Sequence, residues 1–596
     1  MAKKYIDVMD TTFRDGFQSV FGGRVLMDDF FPAVEAAKSA GINHFEFGGG
    51  ARFQSLFFYL QENAFEMMDK FREIVGPDAN LQTLSRGINT VMLDTGSREL
   101  IDLHAKMFKK HGTTTIRNFD ALNDVNNLAY SASCIKKHGL NHEAVITMMD
   151  LPPGCHGAHG VDFYEKTLRN MLDAGIEFDS LCFKDASGTA NPNKVFETIS
   201  MARNLLGEDV HLRLHTHETA GVSVASYLAA LEAGANGIDM AASPVSGGTS
   251  QPDILTMLHA TKGTNYNLGD LELTKILKYE DRLKECLADY MIPPEATQVS
   301  PLIPFSPMPG GALTANTQMM RDAGTLDKFD EVILAMKEVV EKGGYGTSVT
   351  PVSQFYWQQA YANVMFGDWN QIAPGYGRMV LGYFGKTPVE PNAEIVKLAS
   401  EKLKLEPTTE NPLDLSDKEV KKSIAYWKQV LEDEELETTE ENIFIAAACD
   451  QKGIAFLKGE GPLMVRKGKE NNCGGEEMSG SYTVVVDGKS YSVQVAEGDA
   501  EITVAPTSAP AAATPATPAP VAGGKGSIEI NSQTPGNVWK ILKSAGDSVN
   551  EGEQIMILEA MKMEIDIVAE KAGVIKSIEV NTNDVVVDGQ LLATME

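Results

Sequence analysis

Over roughly the first 270 residues, short apolar runs rich in β-branched and aromatic residues alternate with stretches whose apolar positions recur at helical spacing. The β-type runs fall at residues 6–9, 44–47, 80–84, 114–119, 143–149, 180–184, 211–217 and 237–241. Each precedes a helix-like stretch, such as 28–40, 124–138 or 163–174. A strand covered on both faces reads as a continuous apolar run, whereas a surface helix repeats every three to four residues. Eight β-then-α units predict a (β/α)8 TIM barrel over 1–272; a six-stranded doubly wound sheet would need two of the runs to be something else. Helical periods then dominate 273–458, with examples at 327–342 and 352–365, and predict an α-helical extension that folds over the barrel top. Within 459–504, a glycine- and lysine-rich stretch reads as a flexible joint. It leads to a hairpin of 482–486 and 490–495 around Asp487-Gly488, the pair a two-residue hairpin turn favours.

Residues 505–526 are almost wholly Ala, Pro, Thr and Gly. Such a stretch builds no core, and its ~22 residues reach on the order of 60–70 Å when extended. A domain tethered by such a spacer is built to travel. Residues 527–596 carry short β runs cut by Pro535-Gly536, Gly546-Asp547, Glu551-Gly552 and Asp588-Gly589, the pattern of a small all-β domain.

Charge narrows the function. Lys+Arg is 52 against Asp+Glu 82, a formal net charge of −30. That disfavours nucleic acid or an anionic membrane as partner. The chain has no apolar run long enough to span a bilayer. Its start, Met1-Ala2-Lys3-Lys4-Tyr5-Ile6-Asp7, lacks the apolar centre of a secretory signal, and none of the six cysteines forms a CxxC pair. A reducing cytoplasm is expected.

A TIM barrel builds its active site at the C-terminal ends of its strands. The seventh run ends His215-Thr216-His217, and side chains two apart on a strand point the same way. Two imidazoles on one face either chelate a metal or are merely polar residues at a strand end. The first run leads to Arg14, Asp15 and Gln18. The sixth ends Phe183-Lys184-Asp185, and a lysine in a barrel mouth needs a reason. It either pairs with Asp185 or is carbamylated by CO₂ into an anionic oxygen ligand. The four side chains Asp15, Lys184, His215 and His217 together favour the metal. In the last domain, Met561-Lys562-Met563 reads either as an exposed turn or as a lysine carrying a prosthetic group. The segment Cys155-His156-Gly157-Ala158-His159 reads as a plain loop, and the acid run at 432–441 as a solvated surface.

Glu559-Ala560-Met561-Lys562-Met563-Glu564, with Pro535-Gly536 upstream, resembles a biotinyl (biotin carboxyl carrier) domain. Arg14-Asp15-Gly16-Phe17-Gln18-Ser19, Gly48-Gly49-Gly50-Ala51, Arg86-Gly87-Ile88-Asn89, Phe119-Asp120-Ala121-Leu122-Asn123-Asp124, Phe183-Lys184-Asp185, His215-Thr216-His217, Pro309-Gly310-Gly311 and Val349-Thr350-Pro351-Val352-Ser353-Gln354 resemble the biotin-dependent carboxyltransferases. The resemblance implies biotin on Lys562 and a divalent ion, zinc or manganese, on Asp15, His215, His217 and carbamylated Lys184. It implies that Gln18, Arg14 and Arg86 bind a keto acid, that Thr350 shuttles a proton, and that Ser353 helps seat biotin. The implied reaction moves a carboxyl group from carboxybiotin to pyruvate, giving oxaloacetate, as in the carboxyltransferase subunit of a two-subunit pyruvate carboxylase. The alternative is the alpha subunit of a sodium-pumping oxaloacetate decarboxylase at a membrane. Implied partners are an ATP-dependent biotin carboxylase subunit, a biotin protein ligase and further copies of the chain. A metal-dependent aldol or Claisen enzyme on the same barrel is a rival, as is a non-catalytic carrier. The sequence departs from the family at Gly16 and Phe17, where Ala-His is usual, at Arg52 and Gln54, where Thr and an acid are usual, and at Leu93, where pyruvate carboxylases carry Tyr.

Overall fold

Eight strands close into a parallel barrel: β1 (Asp7–Asp10), β2 (His44–Gly49), β3 (Asn80–Ser85), β4 (Thr115–Asn118), β5 (Asn141–Thr147), β6 (Ser180–Asp185), β7 (His211–Thr216) and β8 (Gly237–Met240). Each pairs with the next, and β8 returns to β1 with Asp7 opposite Gly237 and Asp10 opposite Met240. All eight runs expected from the sequence are strands. This computed structural model describes residues 3–468, 480–486, 489–495, 528–532, 536–560, 563–582, 584–586 and 589–596.

Helices follow the strands in turn: α1 (Met27–Ser39), α2 (Ala64–Val75), α3 (Arg98–Lys110), α4 (Asn126–Lys137), α5 (Val161–Asp173), α6 (Pro192–Leu206), α7 (Ser223–Glu232) and α8 (Ile254–Ala260). Their starts are written locally. Ser97 caps α3, Asp253 caps α8, and Asn191 caps α6 ahead of Pro192, whose missing N–H costs nothing at a first helical position.

α9 (Leu273–Cys286) packs along α1 on the barrel wall. The next helices, α10 (Gly310–Asp322), α11 (Phe329–Lys342), α12 (Val352–Phe366), α13 (Pro374–Val380) and α14 (Ala393–Leu403), form one apolar cluster with the strand ends. Leu84, Phe119, Leu122 and Met149 from the rim meet Met308, Leu313, Val349 and Val352 there. α15 (Ile424–Asp433) and α16 (Glu440–Leu457) instead pack on the outer wall, where Phe444 lies against Phe53 and Phe108. So only part of 273–458 reaches the mouth. Residues 461–468 also differ from the flexible joint expected of them. Met464 N–H donates to Tyr59, Gly468 N–H to Asp289, and Lys467 pairs with Asp29, which strap the chain back onto the barrel.

β9 (Gly480–Val486) and β10 (Lys489–Val495) form the expected antiparallel hairpin. The C-terminal domain has two four-stranded antiparallel sheets. One is ordered β11 (Ile528–Asn531), β18 (Leu591–Met595), β16 (Gly573–Ile578), β13 (Ser548–Val549); the other β15 (Met563–Val568), β14 (Gln554–Ala560), β12 (Gly536–Ile541), β17 (Val585–Val586). Val538, Leu558, Ile575 and Leu592 fill the space between them. β14 and β15 pair up to Ala560 opposite Met563; residues 561 and 562 between them, Lys562 included, lie outside the described residues.

The barrel interior is charged. Arg117 on β4 donates to Glu143 at 2.5 Å and to Asp239 at 2.6 Å. Arg213 on β7 donates to Asp239 at 2.9 Å and pairs with Asp7. Burial raises the carboxyl groups of Asp239 and Glu143, but the two guanidinium groups outweigh it and hold both below their ordinary values. Such charges are tolerated inside a protein only while each keeps its partner. Carboxylates depressed in the folded state contribute stability above their unfolded values of roughly 4 and lose it as pH falls further. Chemical denaturation is therefore expected to show stability falling steeply below about pH 4. At pH 7, Arg117→Met should cost about 3–5 kcal/mol, because it leaves Asp239 and Glu143 short of a cation.

Candidate active site

At the C-terminal rim, β7 aims His215 and His217 into the barrel, and the turn after β1 brings Asp15 against them. Asp15 Oδ2 lies 3.1 Å from His215 Nε2 and 3.3 Å from His217 Nε2, and the two Nε2 atoms are 3.1 Å apart. All three side chains are buried. His217 Nδ1 lies 2.7 Å from the Thr249 carbonyl oxygen, which only accepts, so Nδ1 carries the proton. His215 Nδ1 likewise donates to Asp239 Oδ2 at 2.8 Å. Both Nε2 atoms therefore present lone pairs toward the Asp15 carboxylate. Three lone-pair donors converging this closely repel one another unless a cation or N–H groups stand among them. These residues fit a divalent metal ion, each histidine oriented by an acceptor behind it. Among the described residues this trio is the one cluster of its kind.

Lys184 at the end of β6 completes the group. Its Nζ is 2.7 Å from His215 Nε2 and 3.8 Å from Asp15 Oδ2. It does not pair with Asp185. That neighbour faces the other side of the strand, where it accepts from the backbone N–H of Ser187, Gly188 and Ala190. Burial pushes the Lys184 ammonium below its ordinary value, with Arg14 and Arg117 adding to the effect and Asp15 opposing it. A lysine biased toward the free amine is the form that adds CO₂. Asp15, also buried, is held well below the carboxylate range by Arg14, Lys184 and His217, which together outweigh burial.

Around this group, Arg14 pairs with Asp15 at 3.1 Å and Glu46 at 2.5 Å and reaches Gln18 Oε1 at 3.5 Å. Arg86, after β3, donates to the carbonyls of Val91 and Met92 at 2.7 and 3.1 Å. No carboxylate among the described residues lies within ion-pair distance of it, and burial pushes its guanidinium down to about 9. Thr350 is half-buried just before α12, between Val349 and Val352 of the cluster on the rim. Ser353 one turn on is fully buried, its hydroxyl without a partner among the described residues.

The Pro309-Gly310-Gly311 turn closes the rim from above. A Cβ on Gly310 would sit 1.6 Å from the Thr249 oxygen and 3.0 Å from His217 Nδ1, and one on Gly311 3.3 Å from Gln18 Nε2. Gly49 has φ +81° and would drive a Cβ to 2.3 Å from the Leu84 oxygen. The departures from the family also find places. Arg52 donates to the carbonyls of Gly23 and Val25 and lies over the Phe17 ring at 5.4 Å, while Gln54 donates to the Ala448 carbonyl at 2.6 Å. In the loop after β5, His159 is buried between the Tyr164 hydroxyl and the Tyr345 carbonyl.

Two residues that sequence reading missed stand in the same group. Asp239 backs His215 from inside β8. Gln251, in the Thr249-Ser250-Gln251 loop after β8, places Nε2 2.9 Å from Asp15 Oδ2 and 3.0 Å from His217 Nε2. The available signal was position alone, since a loop after the eighth strand must reach the same rim.

The sequence matches three described families: "Conserved carboxylase domain" over 303–495, "Biotin-requiring enzyme" over 528–595 and "HMGL-like" over 144–280. It is 30% identical to a pyruvate carboxylase subunit of Methanocaldococcus jannaschii, over 94% of this chain and 94% of that one. It is 29% identical to the methylmalonyl-CoA carboxyltransferase 5S subunit of Propionibacterium freudenreichii subsp. shermanii, over 77% of this chain and 89% of that one. Its fold resembles the carboxyl transferase domain of Rhizobium etli pyruvate carboxylase, solved with pyruvate and biocytin, at a TM-score of 0.69 and 24% identity over 77% of this chain and 78% of that one.

The close seat of Gly310 carries a prediction. Gly310→Ala should force the turn off the rim and cost about 1–3 kcal/mol, the usual penalty of overpacking. Thermal unfolding of the purified chain measures it.

Proposed function

The chain belongs to the biotin-dependent carboxyltransferases, and from that premise we propose that it moves a carboxyl group between biotin on Lys562 and pyruvate, forming oxaloacetate as one subunit of a two-subunit pyruvate carboxylase. The observation that carries this reading is the fusion of a biotin-requiring domain to a barrel whose mouth gathers Asp15, Lys184, His215 and His217. Similarity to a pyruvate carboxylase subunit along nearly the whole of both chains favours the carboxylase over the decarboxylase alternative. A separate ATP-dependent biotin carboxylase subunit would charge the biotin, and a biotin protein ligase would attach it. No helix among the described residues is long and apolar enough to cross a membrane.

Each side chain then has a task. Arg86 is a buried cation with no carboxylate partner among the described residues, so it receives the carboxylate of the keto acid; its planar fork suits two oxygens. Gln18 and Arg14 line the same rim and orient the keto group. The Lys184 amine would bond to the carbon of CO₂ and release a proton, and a carbamate oxygen there, with Asp15, His215 and His217, would hold the divalent ion. A zinc or manganese ion held there would supply Lewis-acid stabilisation of negative charge. The Thr350 hydroxyl takes a proton from the pyruvate methyl group and passes its own to the ureido nitrogen. The bond from that nitrogen to the carboxyl carbon breaks as the methyl carbon bonds to it. The α10–α14 cap keeps water from the reacting groups.

Isotope exchange between labelled pyruvate and oxaloacetate tests this on the full chain. Thr350→Ala should lower exchange roughly 10²–10⁴-fold, the usual share of a proton-transfer group. Lys562→Arg should abolish both exchange and streptavidin capture; a fully active Lys562→Arg chain overturns the carrier role.

A further inference from the structure

We propose that Gln251 is a ligand of the metal ion, supplying a neutral side-chain oxygen beside Asp15, His215 and His217. The inference rests on the metal reading of those residues and adds to it a group from the loop after β8.

Gln251 is fully buried. As placed, its Nε2 faces Asp15 Oδ2 at 2.9 Å and His217 Nε2 at 3.0 Å, and its Oε1 accepts from the Thr11 hydroxyl at 2.8 Å and from the Ser250 hydroxyl at 3.2 Å. That hydroxyl also lies 2.9 Å from the Met240 carbonyl oxygen. Thr11 has one proton and cannot donate to both oxygens. The oxygen and nitrogen of a side-chain amide differ only in what they bond, so the network decides which end points where. Turning the amide over resolves the conflict. Nε2 then donates its two protons to the Thr11 and Ser250 hydroxyl oxygens, Thr11 donates to Met240, and Oε1 faces the convergent atoms of Asp15 and His217. With no ion among those atoms, the N–H end is the right one, because it donates to a carboxylate and to a lone pair. With a cation among them, an N–H directed at it is repelled and the carbonyl oxygen is attracted. Zinc and manganese both accept oxygen ligands. The amide thus has two satisfied orientations, and ion occupancy selects between them.

The full biotinylated chain tests this. Wild type, Gln251→Leu and Gln251→Glu are stripped with a chelator and reconstituted with Co²⁺ in bicarbonate buffer. The dissociation constant is measured by chelator competition, and the coordination number is read from the visible d–d absorption. Gln251→Leu is expected to weaken Co²⁺ binding about 10–100-fold and to strengthen the absorption as a ligand is lost. Gln251→Glu keeps an oxygen and should bind at least as tightly as wild type. Leu and wild type with equal affinity and equal spectra overturn the proposal. So does a Glu variant weaker than Leu, which would mean that the amide serves only as an N–H donor to Asp15. If Gln251→Leu does not fold, Gln251→Glu is compared with wild type, and a Glu variant that binds Co²⁺ more weakly than wild type overturns the proposal. A wild-type chain that takes up no Co²⁺ overturns the metal reading and this inference with it.

Discussion

The hydrogen bond from His215 Nδ1 to Asp239 governs the rim, because it joins the metal-type cluster to the charge network that fills the barrel. Asp239 can stay ionised inside β8 because Arg117 and Arg213 reach it from β4 and β7. The same guanidinium groups hold Glu143, and Arg213 continues to Asp7 at the opposite end. A barrel filled with branched apolar residues would be easier to stabilise. This one places fixed charge directly behind the imidazole. That arrangement sets the His215 tautomer before any ligand arrives, so the Nε2 lone pair needs no reorganisation to be used.

Closure from above follows the same logic with backbone instead of charge. The Thr249 carbonyl both fixes His217 and forms the floor against which Gly310 sits. A side chain at Gly310 would break that contact, which ties α10, and with it the cap of helices, to the orientation of one histidine. The cap also brings Thr350 onto the rim, since Val349 and Val352 on either side pack with Leu84 and Phe119 at the strand ends.

Much of this was legible in the sequence, for physical reasons. Short β-type runs separated by helical periods marked the eight strands, although polar residues interrupt each run. A residue pair spaced by two on a strand shares a face, so His215 and His217 could be paired before any contact was known. What stayed hidden were partners far apart in the chain. Arg117, Glu143 and Asp239 each look like a lone polar residue in an apolar strand, and only barrel closure sets them face to face. Gln251 lies in a loop, where no spacing ties it to His217. The acid run at 432–441 was read as solvated surface, yet Glu440 and Glu441 pair with Lys106 and Lys110 of α3 and help hold α16 to the wall. The strap at 461–468 was hidden because glycine and lysine content says nothing about long-range backbone hydrogen bonds.

The departures from the family pattern follow from one another once their contacts are known. Phe17 replaces a polar residue with a ring that packs edge-on against Phe30 at 5.2 Å, inside the barrel wall. Arg52 replaces a small residue, and its guanidinium lies over both rings at 5.4 and 5.5 Å while its N–H groups serve the Gly23 and Val25 carbonyls. No carboxylate among the described residues pairs with it, and burial pushes it down to about 10. The aromatic faces therefore supply what a counter-ion would elsewhere. Either change alone would leave a buried cation without its rings or a ring without its cover. Together they form a packed unit outside the Asp15–His215–His217 group.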